Sequence, residues 1–365
     1  MTLKVVTVVG ARPQFIKAAA VSRAFRAAGP DAASEVLVHT GQHYDDNMSA
    51  VFFEELGIPQ PQHNLQIGGG THGAMTGRML EGLEQVMLQE RPDWVLVYGD
   101  TNSTLAGALA AAKLHLPVAH VEAGLRSFNR RMPEEINRVL TDRLSQQLHC
   151  PTTAAVAHLR AEGVSEGVHL VGDVMYDVAL HYRDVARASS DALRRLGLQP
   201  GTFALVTCHR AENTDDPARL AGIVAALAEL ARELPVVLPL HPRTRKVLAA
   251  QDLAGALGAV QVVDPLPFLD MILLEQEARL VLTDSGGVQK EAFFFGVPCV
   301  TLRDETEWVE TVEAGMNRLC GADPQAILAA ARGFLRERPA TAFKPYGEGN
   351  AAGRIVAHLL DGGSA

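Results

Sequence analysis

The sequence predicts an α/β protein made of two Rossmann-like parallel-sheet domains facing a cleft. Three observations lead there. Short β-branched runs alternate with Ala- and Leu-rich stretches of helical length along the whole 365-residue chain, the pattern of βαβ units. The runs are too many for one compact doubly wound sheet and suit two sheets of five or six strands. Polar and charged residues follow the runs directly, at the edge where open α/β sheets bind ligands.

In order, the strands expected in the first half are VVTVV (5–9), EVLVH (35–39), WVLVY (94–98), PVAHV (117–121), QLHC (147–150) and VHLV (168–171). In the second half they are FALVT (203–207), VVLPL (236–240), VQVV (260–263), RLVLT (279–283) and PCVTL (298–302). A break near Gly172 places a first domain over 1–171 and a second over 172–349, with NAAGRIVAHLLDG (350–362) as a helix packing back on the first. An eight-stranded barrel is the competing architecture. The strand count and the long helical region 173–196 disfavour it.

Bulk properties narrow the function. An apolar content of 47% and a charged content of 21% describe an ordinary globular protein. A net charge of −9 argues against a general nucleic-acid or acidic-membrane surface, yet leaves room for a small basic pocket. The four cysteines, Cys150, Cys208, Cys299 and Cys320, show no CxxC pairing, so neither zinc nor a disulfide framework is expected and reduced cytoplasmic thiols are. MTLKVVTVVG has too short an apolar run for a secretory signal, and nothing approaches the length of a membrane span. No Asp/His spacing suggests a metal.

The most informative stretch runs from Leu96 to Arg138. It sets Asp100, Glu122 and Glu134 at the exits of successive strands or in the loop beyond. Either Asp100 or Glu134 alone reads as a helix cap or a helix opener. All three together point to proton chemistry, which needs convergent carboxylates.

Three further motifs point to an anionic ligand. In VVGARPQFIK, Gly10 allows a tight turn, Arg12 starts a helix and Lys17 lies one turn in, so a helix N-terminus and two cations make an anion site. It lacks GxGxxG and gives little support to a dinucleotide. In LTDSGGVQKEA, Ser285, Gly286 and Gly287 open a helix where backbone N–H groups can approach a phosphate, and Glu291 can accept from a ribose diol. Arg303 and Asp304 exit the next strand toward the same edge. In VTCHRAEN and LPLHPRT, His209 and His241 follow adjacent strands, each with an arginine close behind (Arg210, Arg243), which favours a diphosphate pocket over structural histidines. Gln42 and His43 follow the second strand and either line the ligand edge or cap a helix.

Together GARPQFIK, TGQH, GDTNST, HVEAGLRS, PEEINR, HRAEN, LTDSGG and RDETEW resemble the non-hydrolysing UDP-N-acetylglucosamine 2-epimerases, in the right order from residue 4 to about 355. The resemblance implies the glycosyltransferase-B architecture, with the second domain binding UDP. It implies interconversion of UDP-GlcNAc and UDP-ManNAc without NAD or metal, by loss of UDP and the C2 proton to a 2-acetamidoglucal and re-addition of UDP. It implies a homodimer whose ligand is a UDP-sugar, with no nucleic-acid or membrane partner.

Position by position, Asp100, Glu122 and Glu134 match the family's acid/base carboxylates, and His209 its catalytic-region histidine. Arg12, Lys17, Ser285, Gly286, Gly287, Glu291 and Arg303 match its UDP-binding positions, and Phe268 and Met271 are both candidates for the uracil platform. Which carboxylate serves which face of C2 is left open by the motif.

The SFNRRM loop before PEEINR is shorter than the usual family loop and puts Arg130 and Arg131 beside Glu134. With HRAEN and TEWVETVEAG it resembles the branch acting on UDP-2,3-diacetamido-2-deoxyglucuronate. A guanidinium fork suits a C6 carboxylate, against the alternative that both arginines are solvated or pair with Asp142 and nearby glutamates. A glycosyltransferase of the same architecture would not need three carboxylates, and a nucleotide-sugar sensor would be expected to have lost some of them.

Overall fold

Strand β1 (Leu3–Val9) is nearly continuous in apolar side chains because it lies at the middle of a parallel sheet with both faces covered. It pairs in parallel with β2 (Ala33–His39) on one side and β4 (Trp94–Tyr98) on the other, so that Val5 lies opposite both Glu35 and Trp94. Adding β3 (His63–Asn64), β5 (Val118–Val121), β6 (Gln147–Cys150) and β7 (Val168–Leu170) gives the order β3-β2-β1-β4-β5-β6-β7. The connecting helices are α1 (Arg12–Ala28), α2 (His72–Glu90), α3 (Asn102–Lys113), α4 (Pro133–Leu144) and α5 (Thr153–Ala161).

Local chemistry sets the helix starts. Thr101, not Asp100, is the N-cap of α3, and its hydroxyl accepts the Thr104 N–H at 3.3 Å. Such caps contribute about 1 kcal/mol. Helix α3 is rich in alanine and has Gly107 where a Cβ would stand 3.1 Å from Val97 and 3.3 Å from Val8, so the helix lies close on the sheet.

The computed structural model describes residues 2–42, 57–240, 242–340 and 342–362. It divides into two units, Met1–Val178 with Lys344–Ala365 and Ala179–Phe343. The chain leaves the first unit within α6 (Val174–Ser189). It returns to that unit through α15 (Ala351–Gly362), which packs on α1 and whose first N–H groups, from Ala351 and Ala352, reach the Asp177 carboxylate at 3.1 and 2.8 Å.

The second unit repeats the plan with β8 (Ala204–Thr207), β9 (Val236–Pro239), β10 (Gln261–Val263), β11 (Leu280–Thr283), β12 (Cys299–Thr301) and β13 (Asn317–Leu319), ordered β10-β9-β8-β11-β12-β13 and parallel throughout. Its helices are α7 (Ala192–Leu196), α8 (Ala211–Thr214), α9 (Pro217–Leu230), α10 (Pro242–Ala250), α11 (Phe268–Glu277), α12 (Gly286–Phe294), α13 (Val309–Glu313) and α14 (Pro324–Arg336). Val206, Leu238, Leu282 and Val300 from the strands meet Ile223, Leu227, Ala331 and Phe334 from α9 and α14 in one apolar core. The expected strands are present in both units. Strands β3 and β13 are additional, short edge strands defined by pairing more than by apolar pattern.

In each sheet the strand order reverses between two neighbours, β1 and β4 in the first and β8 and β11 in the second. Open α/β sheets bind ligands at such reversals, beyond the carboxyl ends of the strands. The loops after these strands carry GARPQ, GDTNS, HRAEN and DSGG.

Candidate functional site

In the first unit, β1 ends on Gly10, where a Cβ would stand 2.0 Å from Ser103 Oγ and 2.3 Å from Thr40 Oγ1. Glycine is required by close approach. The Gly10 and Ala11 N–H groups both donate to Gln14 Oε1, at 2.8 and 3.1 Å, and Gln14 Nε2 donates to Tyr98 O at 2.7 Å. This ties the start of α1 to the exit of β4. It also occupies two of the amides expected to meet an anion.

Lys17 is ion-paired with Glu122, their side chains 15% and 6% exposed. Glu122 directly follows β5 and adopts a left-handed backbone with φ +68, a conformation a β-carbon disfavours and one found where function constrains the chain. Gly99, with φ +62, lies against the pair: its missing Cβ would stand 3.4 Å from Glu122 Oε2 and 3.7 Å from Lys17 Nζ.

Asp100 is next in the chain. Its carboxylate takes Arg138 Nη2 at 2.6 Å and its carbonyl takes Asn137 Nδ2 at 2.9 Å. Arg138 and Asn137 lie one turn along α4 from Glu134, so Glu134 shares the helix face turned toward Asp100. Glu134 is half-buried and has no ion pair among the described residues.

Its neighbour Glu135 is committed elsewhere. It accepts from Ser127 N at 2.8 Å, Phe128 N at 2.9 Å and Arg138 Nη1 at 3.0 Å. Burial alone would raise this carboxyl; the Ser127, Arg138 and Phe128 donors outweigh it and hold the group below its ordinary range. The loop bearing Arg130 and Arg131 is therefore anchored to α4. Both arginines are exposed, and neither guanidinium has an ion pair among the described residues. Asp142, the alternative partner, is engaged by His120 and Arg126 instead. Gln42 Oε1 accepts from Ser103 N at 3.0 Å and Ser103 Oγ at 2.7 Å, lining the same edge of the sheet at the start of α3.

In the second unit the organising group is Asp284, a residue of LTDSGG with no role assigned by sequence. It is fully buried directly after β11. Its carboxylate accepts from His209 N at 3.0 Å, Arg210 N at 3.0 Å and Asn213 Nδ2 at 3.2 Å, binding the exit of β8 to that of β11. The His209 ring, half exposed, lies 3.5 Å from the same carboxylate. The signal in the sequence was an acidic residue immediately after an apolar strand, which pattern reading does not separate from an ordinary turn.

Ser285 is the N-cap of α12. A Cβ on Gly286 would stand 2.4 Å from Glu307 Oε1 and 3.1 Å from Trp308 Nε1, so the Glu307 carboxylate lies close over this turn, while Gly287 is exposed. Glu307, also without a role assigned by sequence, takes Arg303 Nη1 at 2.9 Å. Burial works against its charge, but Arg303 and then its own backbone N–H and Arg210 keep the carboxyl below its ordinary range. Two cations thus converge beside the α12 N-terminus, an arrangement suited to an anion. Asp304 is paired with Arg219 at 2.9 Å. Glu291 lies beside Glu275, a carboxyl pushed well up by burial and then by the Glu291 charge and hydrogen bond. Phe268 is buried edge-on to Tyr182, ring centroids 5.2 Å apart, and Met271 is half-buried. His43 and His241 lie outside the described residues.

Among the described residues no group of three or more His, Cys, Asp or Glu could hold a metal ion, and no helix is long and apolar enough to cross a membrane. Known proteins share this plan over their whole length. The sequence pattern of the UDP-N-acetylglucosamine 2-epimerase family matches residues 27–360. A UDP-2,3-diacetamido-2,3-dideoxy-D-glucuronate 2-epimerase of Pseudomonas aeruginosa is 56% identical over 361 residues, 98% of this chain and 99% of that one. The crystal structure of Methanocaldococcus jannaschii UDP-GlcNAc 2-epimerase in complex with UDP-GlcNAc and UDP matches with a TM-score of 0.86 at 42% identity, covering 99% of this chain and 100% of that one. That of the Neisseria meningitidis enzyme bound to UDP-GlcNAc matches with a TM-score of 0.87 at 32% identity, covering 98% and 100%. Motifs, sheet order and full-length similarity agree, and the chain belongs to the UDP-N-acetylglucosamine 2-epimerase family.

Proposed function

We propose that this chain is a UDP-sugar 2-epimerase that inverts C2 of a UDP-2-acetamido sugar, and that its preferred substrate is UDP-2,3-diacetamido-2,3-dideoxyglucuronate, with plain UDP-GlcNAc a weaker one. The observation that carries the activity is the Lys17–Glu122 ion pair on a left-handed turn, with the Asp100 turn directly beside it and Glu134 on the helix face opposite.

Carboxylates so placed can exchange the weakly acidic proton at C2. One takes the proton from the first face as the C1–O bond to UDP breaks, leaving the 2-acetamidoglucal. A second carboxyl returns a proton to the other face, and UDP re-forms the C1–O bond. UDP leaves as an anion and needs cationic stabilisation while it is detached. In the second unit Arg210, Arg303 and the α12 N-terminus with Ser285 and Gly287 supply it, Glu291 takes the ribose diol, and Phe268 or Met271 the uracil. His209, held by Asp284, serves the leaving diphosphate. No NAD or metal enters these steps.

Two observations support the finer choice of sugar. The Pseudomonas relative is 56% identical, against 42% for the Methanocaldococcus UDP-GlcNAc enzyme. Arg130 and Arg131 stand exposed on a loop pinned beside Glu134, where a C6 carboxylate could be met. The family reading also carries a cytoplasmic homodimer, for which Ile136 and Leu140, 48% and 45% exposed one turn apart on α4, offer apolar surface.

The test is incubation with each UDP-sugar in D2O, followed by NMR. Deuterium at C2 of both epimers without an acceptor is expected, and a strict need for an acceptor would mean a glycosyltransferase instead. Equal or better kcat/KM on UDP-GlcNAc would remove the uronate assignment while leaving the epimerase.

A further inference from the structure

His120 opens the HVEAG motif on β5 and is fully buried. Its Nε2 is 2.7 Å from the carbonyl oxygen of Gly99, and its Nδ1 is 2.7 Å from Asp142 Oδ1. A carbonyl and a carboxylate can only accept, so His120 bridges two acceptors, one at each ring nitrogen. Asp142 Oδ2 also takes Arg126 Nη1 at 2.8 Å, and Arg126 Nε and Nη2 reach Glu162 at 2.7 and 2.9 Å. His120, Asp142, Arg126 and Glu162 form one chain of basic and acidic side chains, buried except at its Glu162 end, with His149 on the adjacent strand, the Cys150 thiol and Arg143 beside Glu162 as ionisable neighbours.

The network touches both turns that carry the reacting carboxylates. On one side His120 holds the Gly99 carbonyl, whose Cα abuts the Lys17–Glu122 pair and whose successor is Asp100. On the other, Asp142 Oδ2 takes the N–H of Gly124 at 3.2 Å, two residues past Glu122. We infer that His120, buried and bridging Asp142 to the Gly99 carbonyl, is a positioning residue that fixes the Gly99–Asp100 turn against the Glu122 turn. It touches no substrate and acts through the two carboxylates it aligns. This rests on the epimerase reading above.

The test uses His120→Asn and His120→Gln in the full chain. The Asn amide nitrogen falls near Nδ1, so it can still meet Asp142 but releases Gly99. The Gln amide nitrogen falls near Nε2 and can still hold Gly99. Because misplacing reacting groups by about 1 Å costs on the order of 10²-fold, His120→Asn is expected to lower kcat by about that factor, with KM and UDP affinity almost unchanged. His120→Gln is expected to recover about tenfold of it. A merely structural histidine would instead lower Tm, UDP affinity and kcat together and equally in both variants, which would overturn the inference. So would an Asn variant with near-normal kcat. Should neither variant fold, Asp142→Asn decides: a lower kcat with KM and UDP affinity almost unchanged supports the inference, and near-normal kcat overturns it. Absence of C2 exchange in the unaltered enzyme sinks the epimerase reading, whereas near-normal kcat in these variants sinks this inference alone.

Discussion

Lys17, one turn into α1, is ion-paired with Glu122, which follows β5 more than a hundred positions later in the chain. The pair brings a cation from the GARPQFIK motif onto the carboxylate of HVEAG, so two motifs that read as separate anion and proton sites form one unit. It holds Glu122 beside Gly99 and the turn to Asp100.

Replacing Glu122 by Gln or Asp100 by Asn keeps shape and hydrogen-bonding capacity but removes the base. Turnover on the UDP-sugar is expected to fall by about 10²–10⁴, with UDP affinity nearly unchanged. The check is kcat by NMR alongside calorimetric UDP binding. Near-normal turnover in both amides would displace the carboxylate assignment.

Arg130 and Arg131 should set the sugar preference. Charge-assisted pairs to a carboxylate contribute roughly 1.5–3 kcal/mol, or about one to two decades. The Arg130→Ala/Arg131→Ala double variant is expected to lose that much kcat/KM on the uronate and little on UDP-GlcNAc. An unchanged ratio between the two substrates would refute the role.

Asp284 should be the residue on which the second unit's anion site depends. Asp284→Ala leaves the N–H groups of His209 and Arg210 and the amide of Asn213 without their buried acceptor. Each orphaned buried donor costs about 1–3 kcal/mol. Both a lower unfolding midpoint and weaker UDP binding are expected. A variant with wild-type Tm and UDP affinity would show that the carboxylate does not organise the loop.

The docking of α15 should be acid-sensitive. His149, His169 and His358 form a stack in the first unit, with ring centroids 5.7 Å apart for His149–His169, 5.6 Å for His149–His358 and 4.1 Å for His169–His358. Burial, and then the neighbouring imidazoles, hold His149 well below its ordinary 6.5; burial, His358 and Arg354 lower His169, and burial and Arg354 lower His358. The unfolded chain therefore binds more protons, so this contribution to stability is full above 6.5 and is lost as pH falls through the lowered native values. Asp142 and Glu135, lowered from 3.8 and 4.5, act with the same sign only in a more acid window. His149→Phe keeps the ring and removes the titration. Its Tm is expected to vary less than wild type between pH 7.5 and 5, by at least about 2–4 °C, the response to about 1 kcal/mol. Parallel Tm curves would count against it.

The strands were legible because a strand covered on both faces must be apolar almost throughout. Each of the expected runs forms a strand of the right sheet, WVLVY and QLHC to the residue. Two of the four edge strands escaped: His63–Asn64 and Asn317–Leu319 are strands by virtue of a hydrogen-bonded neighbour, and no apolar pattern marks them. Motif order was equally legible, since strand exits in open α/β sheets are ligand-facing whatever the ligand.

By itself, then, the sequence determined the two parallel sheets, the family, and which loops stand at their ligand edges. All of these follow from local period and from short motifs. Tertiary structure alone decided which polar group meets which. Glu134 and Glu135 are chemically identical neighbours, and only the rotation of α4 turns Glu135 into the Ser127–Phe128 loop and leaves Glu134 without an ion pair among the described residues. Asp284 reads as a turn residue until three donors from another strand exit close around it. Hydrogen bonds and ion pairs are short-ranged and directional, so partners far apart in the chain become defined only once the strands have packed.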